Sequence, residues 1–305
     1  MSLTLVVMAA GLGSRFGGTK QLAVVGDSGE AFLDFAIVDA LAAGMEKVVL
    51  IVRSDIEDDL RRHVSAQHPE LDVAYVLQDT HGPSRNKPWG TAHAVLTAAP
   101  EVPDRFCVVN ADDYYGRSTF AALAAAATDL PDDRALLAGF RLGQTLPEVG
   151  EVSRGICGVD GTELVSLVET HGISRGDDGV ITSNDPAGVL TDDAVASMNC
   201  WVFAPSLFGH LATEFDRFIA EHGHDETSEF LLHRCRQPAH SWQLYGRHRA
   251  DRRTLGRCDQ PGRPRDRPSA NRNRSDLNVG PCIRWAIQPT SQTGAPSTVR
   301  VTLDG

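Results

Sequence analysis

Residues 3–9, LTLVVMA, form a run that is apolar apart from Thr4, and the next eleven residues, AGLGSRFGGTK, hold four glycines, one arginine and one lysine. An apolar run of this length bounded by glycines predicts a strand buried on both faces. Glycines carry no side chain, so the backbone N–H groups after the strand can approach a polyphosphate closely. Arg15 and Lys20 would then neutralise the charge that the amides hold. The alternative is an ordinary strand-to-helix turn, which needs fewer glycines and no pair of cations. Spacing excludes two familiar loops. A dinucleotide fingerprint requires glycine three residues after Gly13, where Phe16 stands. A P-loop requires lysine directly after its last glycine, whereas Gly18 is followed by Thr19 and only then Lys20.

Strand-like and helix-like runs alternate through the first half of the chain. LTLVVMA, KVVLIV (47–52), VAYVL (73–77), FCVVN (106–110) and ALLAGF (135–140) read as strands. Helical stretches lie between them at 32–44, 55–66, 90–99 and 118–127. Alternation of this kind predicts right-handed crossovers and a mostly parallel sheet covered on both faces, an α/β fold. Ligands in such sheets sit beyond the carboxyl ends of the strands, where the glycine loop and residues 110–113 fall. From about 141 the rhythm changes to GEVSRGICGV, ELVSLVE and SMNCWVF, which predicts a β-rich lobe closing over the pocket.

Composition breaks near residue 232. The net charge of −11 averages a first segment, 1–232, at −20 and a last segment, 233–305, at +9. The last segment has 14 arginines, no lysine and no glutamate, and holds seven of the 16 prolines. Two explanations are open: a natural basic, disordered tail, or a coding region read in a shifted frame, which the loss of both Lys and Glu favours. The expected division is a catalytic domain over 1–232 and an atypical, disordered or loosely packed tail over 233–305, with the break falling inside a helix just after SEFLL. No apolar run approaches the ~20 residues of a membrane span. The apolar first ten residues lack a basic start and run into the glycine loop, so no secretory leader is expected. Six cysteines without CxxC pairs point away from zinc and disulfides. These features predict a cytoplasmic protein that binds neither membrane nor nucleic acid.

Two further clusters carry chemistry. In KPWGTAHAVL (87–96), Thr91 is a candidate helix cap and Gly90 frees amides at the helix start. Trp89 could stack on a base, but packing is the expected role. In FCVVNADDYYG (106–116), a buried strand ends in two acids, where Mg²⁺ carried by a triphosphate would sit. Asp112 is preferred over Asp113, because neighbouring side chains on extended backbone point in opposite directions.

AAGLGSR followed by Lys20, together with GTA, NADD, VSRG and SMN, resembles the sugar-1-phosphate nucleotidylyltransferases, the glucose-1-phosphate uridylyl- and thymidylyltransferases, over about residues 3–232. The resemblance implies a three-layer, Rossmann-like α/β/α fold of the GT-A-like kind with a small sugar-binding lobe, and a Mg²⁺-dependent reaction of an NTP with a sugar 1-phosphate. It assigns Ala10, Gly11, Gly13, Ser14, Gln78, Gly90 and Thr91 to the nucleotide, and Gly150, Glu169 and Asn199 to the sugar. Arg15 and Lys20 would act on the phosphates, and Asp112 would hold the metal. The chain departs from the family where Thr170 and His171 replace a lysine near the glutamate. A second departure is SWQLYGRHRADRRTL, where arginines occupy positions that would supply a second metal ligand. Two rival readings are a molybdopterin or isoprenoid type of cytidylyltransferase, and a nucleotide-binding protein with weak or no catalysis.

Overall fold

The computed structural model describes residues 2–11, 20–234 and, as backbone, 241–248. Strands β1 (Leu3–Met8), β2 (Lys47–Val52), β3 (Val73–Leu77), β4 (Arg105–Asn110) and β5 (Arg134–Arg141) alternate with helices α1 (Phe32–Ala42), α2 (Glu57–Gln67), α3 (Thr91–Thr97) and α4 (Arg117–Ala127). There follow β6 (Val152–Asp160), β7 (Glu163–Arg175), β8 (Ile181–Asn184), β9 (Ala187–Leu190), β10 (Val195–Phe203), α5 (Ser206–His222) and β11 (Ser241–His248). The sheet runs β3-β2-β1-β4-β10-β5-β11-β7-β8-β9, with β6 pairing both β10 and β7. β1 is parallel to β2 and β4, and β2 to β3, which is the α/β architecture expected from the alternation.

Alternate residues of the buried strands feed two cores. Leu5 and Val7 pack with Leu33 and Ile37 of α1, Leu60 of α2 and Phe120 of α4. Val6 faces the other way, toward Val95 of α3 and Leu211 and Phe215 of α5. The parallel strands β1, β2 and β4 therefore have helices on both faces, and they are mostly apolar because neither face meets water. Asp34 joins two helices of one layer. Its buried carboxylate accepts from Ala31 N at 2.7 Å and, across to α2, from His63 Nε2 at 2.7 Å and His68 Nε2 at 2.8 Å.

Three expectations change. SMNCWVF is not confined to the lobe: the last residues of β10 run antiparallel between β4 and β5, with Trp201 opposite Val108 and Leu137. Trp201 and Phe203 are apolar enough to be buried there, which a lobe strand facing solvent would not allow. SEFLL is not part of a helix. Asp225 caps the turn after α5 by accepting from the Thr227 N–H at 2.8 Å, residues 228–231 then run without regular structure beside α3, and Leu232 opens a short 3-10 turn, Leu232–Arg234. Nor does the sheet stop at Leu232, because β11 lies parallel to β5 and antiparallel to β7. The backbone of 241–248 thus fills a place between those two strands, whatever its side chains contribute. The rest of the predicted tail lies outside the described residues.

Candidate functional site

The carboxyl ends of β1, β2 and β4 finish level, with Met8 opposite both Ile51 and Asn110. Beyond them opens a cavity of about 420 Å³. Its walls bring together Ala10, Gly11, Gln78, Gly90, Thr91, Asp112 and Asn199 from the sequence-predicted set. Gly150 and Glu169 are not among the walls. Glu169 lies on β7 opposite Gly155. Gly13, Ser14 and Arg15 lie outside the described residues, as does the side chain of Lys20, whose backbone opens a short 3-10 turn, Lys20–Leu22.

The first wall is the start of the glycine loop. Arg53, just past β2, donates from Nη1 to the carbonyls of Ala10 at 2.7 Å and Gly11 at 3.0 Å. Its other face grips Asp55 through Nε at 3.0 Å and Nη2 at 2.8 Å. Gln21 Nε2 donates to the same Gly11 carbonyl at 2.7 Å, tying the far side of the loop to its start. In a trans peptide the C=O and N–H point oppositely. Drawing the Ala10 carbonyl to Arg53 therefore turns the Gly11 N–H to the opposite side.

The second wall is the start of α3. Gly90 has φ +111°, and a Cβ there would lie 2.5 Å from the Phe230 carbonyl oxygen, so only glycine fits. Phe230 N donates to Trp89 O at 2.6 Å, and Phe230 O accepts from Ala92 N at 3.0 Å. Thr91 does not cap the helix as expected; it lies inside the first turn, and its hydroxyl accepts from Leu232 N at 3.0 Å. The segment after α5 thus takes one of the helix amides, Ala92 N, that the sequence offered to a ligand. Trp89 packs, as expected, edge-on to Phe215 and Phe218 at 6.1 Å each, with Arg85 over its ring at 4.1 Å. Gln78 is buried and donates to Gly90 O at 3.1 Å.

The third wall carries the acids. Asp112 lines the cavity, whereas Asp113 is buried and accepts from Asn110 Nδ2 at 2.8 Å. Tyr115 anchors this turn: its hydroxyl accepts from Asn110 N at 2.9 Å and donates to Met198 O at 2.8 Å. Burial pushes its phenol pKa well up, so it stays a donor. Asn199 reaches the cavity from an irregularity in β10 between Ser197 and Trp201, where its φ of 56° is one that asparagine tolerates. Asn110, Lys87 and Glu229 also line the cavity and were not singled out in the sequence. Asn110 could have been found, since it directly precedes the two acids. The Lys87–Glu229 ion pair at 2.7 Å joins the two distant segments that meet at Gly90, and neither segment signals the other.

Among the described residues no group of three or more His, Cys, Asp or Glu converges as a metal cage. Mg²⁺ needs less: it commonly takes one or two protein carboxylates and completes its shell with phosphate and water. Asp112, supported by the Asn110–Asp113 pair behind it, fits that requirement. The second ligand expected after SWQLYG lies outside the described residues.

A cavity at the carboxyl ends of parallel strands, in a sheet with helices on both faces, is the usual ligand-binding place of an α/β fold. Residues 5–150, just under half of the chain, match the family model of the MobA-like NTP transferase domain, a match that indicates a nucleotidyltransferase. In fold it is similar to a putative glucose-1-phosphate thymidylyltransferase from Bacillus anthracis in complex with a sucrose, at 13% identity over 80% of this chain and 87% of that one, with a TM-score of 0.53. It is equally similar to the inositol-1-phosphate CTP transferase from T. maritima, at 13% identity, 79% and 84% coverage and a TM-score of 0.53. No curated protein matches the sequence. No helix among the described residues is long and apolar enough to cross a membrane.

Proposed function

We propose that this chain transfers the nucleotidyl group of an NTP to a sugar 1-phosphate in a Mg²⁺-dependent reaction, releasing pyrophosphate. The observation that carries this reading is the convergence of Ala10, Gly11, Gln78, Gly90, Thr91, Asp112 and Asn199 on one cavity at the carboxyl ends of the parallel strands. An oxygen of the sugar phosphate attacks the α-phosphorus in line. The new P–O bond forms as the bond to the β-phosphate oxygen breaks, and pyrophosphate leaves with its electron pair. The attacking oxygen is already ionised near neutral pH, so no general base is required. Positioning and charge neutralisation then carry the catalysis.

Each described residue has a task in this scheme. Arg53 and Gln21 hold the start of the loop, Gln78 faces the base, and Asn199 faces the acceptor. Asp112 would hold Mg²⁺, which supplies charge neutralisation on the phosphates. Arg15 and Lys20 are assigned to the phosphates on the sequence motif alone. The test is a pyrophosphate-release screen of the NTPs against a panel of sugar 1-phosphates. Release with one or more sugar phosphates is expected, and release with none would remove the acceptor as written.

One observation favours a second reading, in which the acceptor is a phosphate monoester of another kind. The family match ends at residue 150, and Gly150 and Glu169 stand apart from the cavity walls. Under the first reading Glu169→Gln raises KM for the sugar phosphate about tenfold, the cost of one hydrogen bond to a charged group, and leaves KM for the nucleotide unchanged. Equal values for mutant and wild type would favour the second.

A further inference from the structure

Asn110 and Asp112 both line the cavity, whereas Ala111 and Asp113 are buried, 1% and 4% exposed. The alternation of an extended chain thus continues past the end of β4, and Ala111 N still donates to Met8 O on β1 at 3.1 Å. Two contacts orient the Asn110 side chain. Nδ2 donates to Asp113 Oδ2 at 2.8 Å and lies 3.5 Å from the Met198 carbonyl oxygen. A carboxylate and a carbonyl both accept, so these contacts fix which end of the amide is nitrogen; turning it over would set oxygen against oxygen. The backbone is pinned as well, because Asn110 N donates to the Tyr115 hydroxyl at 2.9 Å.

With the nitrogen held on the buried side, Oδ1 is the polar atom that Asn110 offers to the cavity, and no donor among the described residues reaches it. An amide whose N–H donates to a carboxylate is polarised, and its oxygen gains negative charge. Such an oxygen suits a hard cation better than a neutral hydroxyl, and it stands on the same wall as the Asp112 carboxylate. We propose that Asn110 is a second protein ligand, through Oδ1, for the divalent cation that accompanies the nucleotide, and that Asp113 is the positioning residue that aims it. This rests on the reading of the cavity as a Mg²⁺–NTP site.

The experiment is titration of Mn²⁺ into the full chain with each NTP present, read by electron paramagnetic resonance. Asn110→Leu keeps the size but loses the oxygen, and should weaken Mn²⁺ binding about tenfold or more. Asn110→Asp combined with Asp113→Asn reverses donor and acceptor, so the hydrogen bond survives and a carboxylate oxygen takes the place of Oδ1. That pair should bind Mn²⁺ about tenfold more tightly than the wild type, because the ligands then carry one more charge. In parallel, the unmodified chain is labelled with a magnetic carbon isotope at its asparagine side-chain amides. Double resonance of the bound Mn²⁺ should then show coupling to that carbon, a result that needs no variant to fold. The coupling should survive Asn199→Gly, which removes the other asparagine of the described walls and suits the backbone at φ 56°. Wild-type affinity in a folded Asn110→Leu, weaker binding by the reversed pair than by the wild type, or absence of the coupling would overturn the proposal. If Asp112→Asn still abolished binding in that case, the metal site would stand without Asn110. Binding of no Mn²⁺ by the unmodified chain would instead remove the metal-dependent reading of the cavity, and this ligand with it.

Discussion

The parallel half of the sheet and the antiparallel lobe differ in how firmly they are held. In β2 every residue from Val48 to Val52 is fully buried, whereas the lobe leaves Val165, Val168 and Val189 at 64%, 45% and 75% exposure. The lobe has a small core of its own, built on Leu142, Val152, Ile173, Ile181 and Ala196. Close-packed strand ends position side chains with little freedom; half-exposed strands do not. The cavity accordingly takes most of its walls from the first half. Asn199 is delivered by β10 where that strand leaves the lobe and re-enters the main sheet. Chemistry should therefore be sensitive to changes around β1–β4 and tolerant of changes in the lobe.

The largest expected effect is at Asp112. Asp112→Asn should lower kcat about a hundredfold, as for loss of other preorganised electrostatic groups, with little change in melting temperature. Asp113→Asn should do the reverse, because it weakens the buried acceptor of Asn110. Kinetics and melting curves of the pair decide this, and the opposite ranking would reassign the carboxylates. Next comes Gly90→Ala, which forces a non-glycine residue into φ +111° against the Phe230 backbone. It should cost roughly 2–3 kcal/mol, read by urea denaturation; a wild-type midpoint would mean that the α3 start and the 225–232 segment are not tightly joined.

Arg53→Ala removes both ties from Ala10 and Gly11. KM for the NTP should rise about tenfold, near the cost of a charged hydrogen bond, with kcat less affected; a drop in kcat alone would make Arg53 something other than a holder of the loop. The smallest effect is at Asp39, on α1 and not among the cavity walls. Burial raises its pKa to about 6, against the pull of Arg117. The folded state binds this proton more tightly than the unfolded chain, so stability falls as pH rises from about 4 to about 6 and the deficit persists above. Asp39→Asn should raise the melting temperature at pH 7 by about 1–2 °C, a modest figure because solvent screens a half-buried group. The gain should vanish below pH 4. A gain that persists there would not come from the carboxylate charge.

What the sequence disclosed follows from the same contrast. Strands buried on both faces announce themselves as aliphatic runs, so β1, β2 and β4 and the acid after β4 were readable. β10 was misplaced because a strand that begins in the lobe and ends in the core carries both patterns at once. Thr91 was misread as a cap because its partner, the Leu232 N–H, comes from a segment far along the chain. Lys87 and Glu229 were invisible for the same reason: an ion pair between distant segments leaves no periodic trace. Glu169 was chosen by resemblance; it lies in the β6–β7 hairpin opposite Gly155 and is not among the cavity walls.

The central claim is that the cavity beyond β1 and β4 moves a nucleotidyl group. Turnover with an NTP labelled at the α-phosphorus, compared with one labelled at the γ-phosphorus, tests it most directly. The account predicts that α-label appears in the product joined to the acceptor phosphate, that γ-label leaves as pyrophosphate, and that Asp112→Asn suppresses both. Transfer of γ-label to the acceptor would make the chain a kinase, and release of γ-label as orthophosphate would make it a hydrolase; either result contradicts the account.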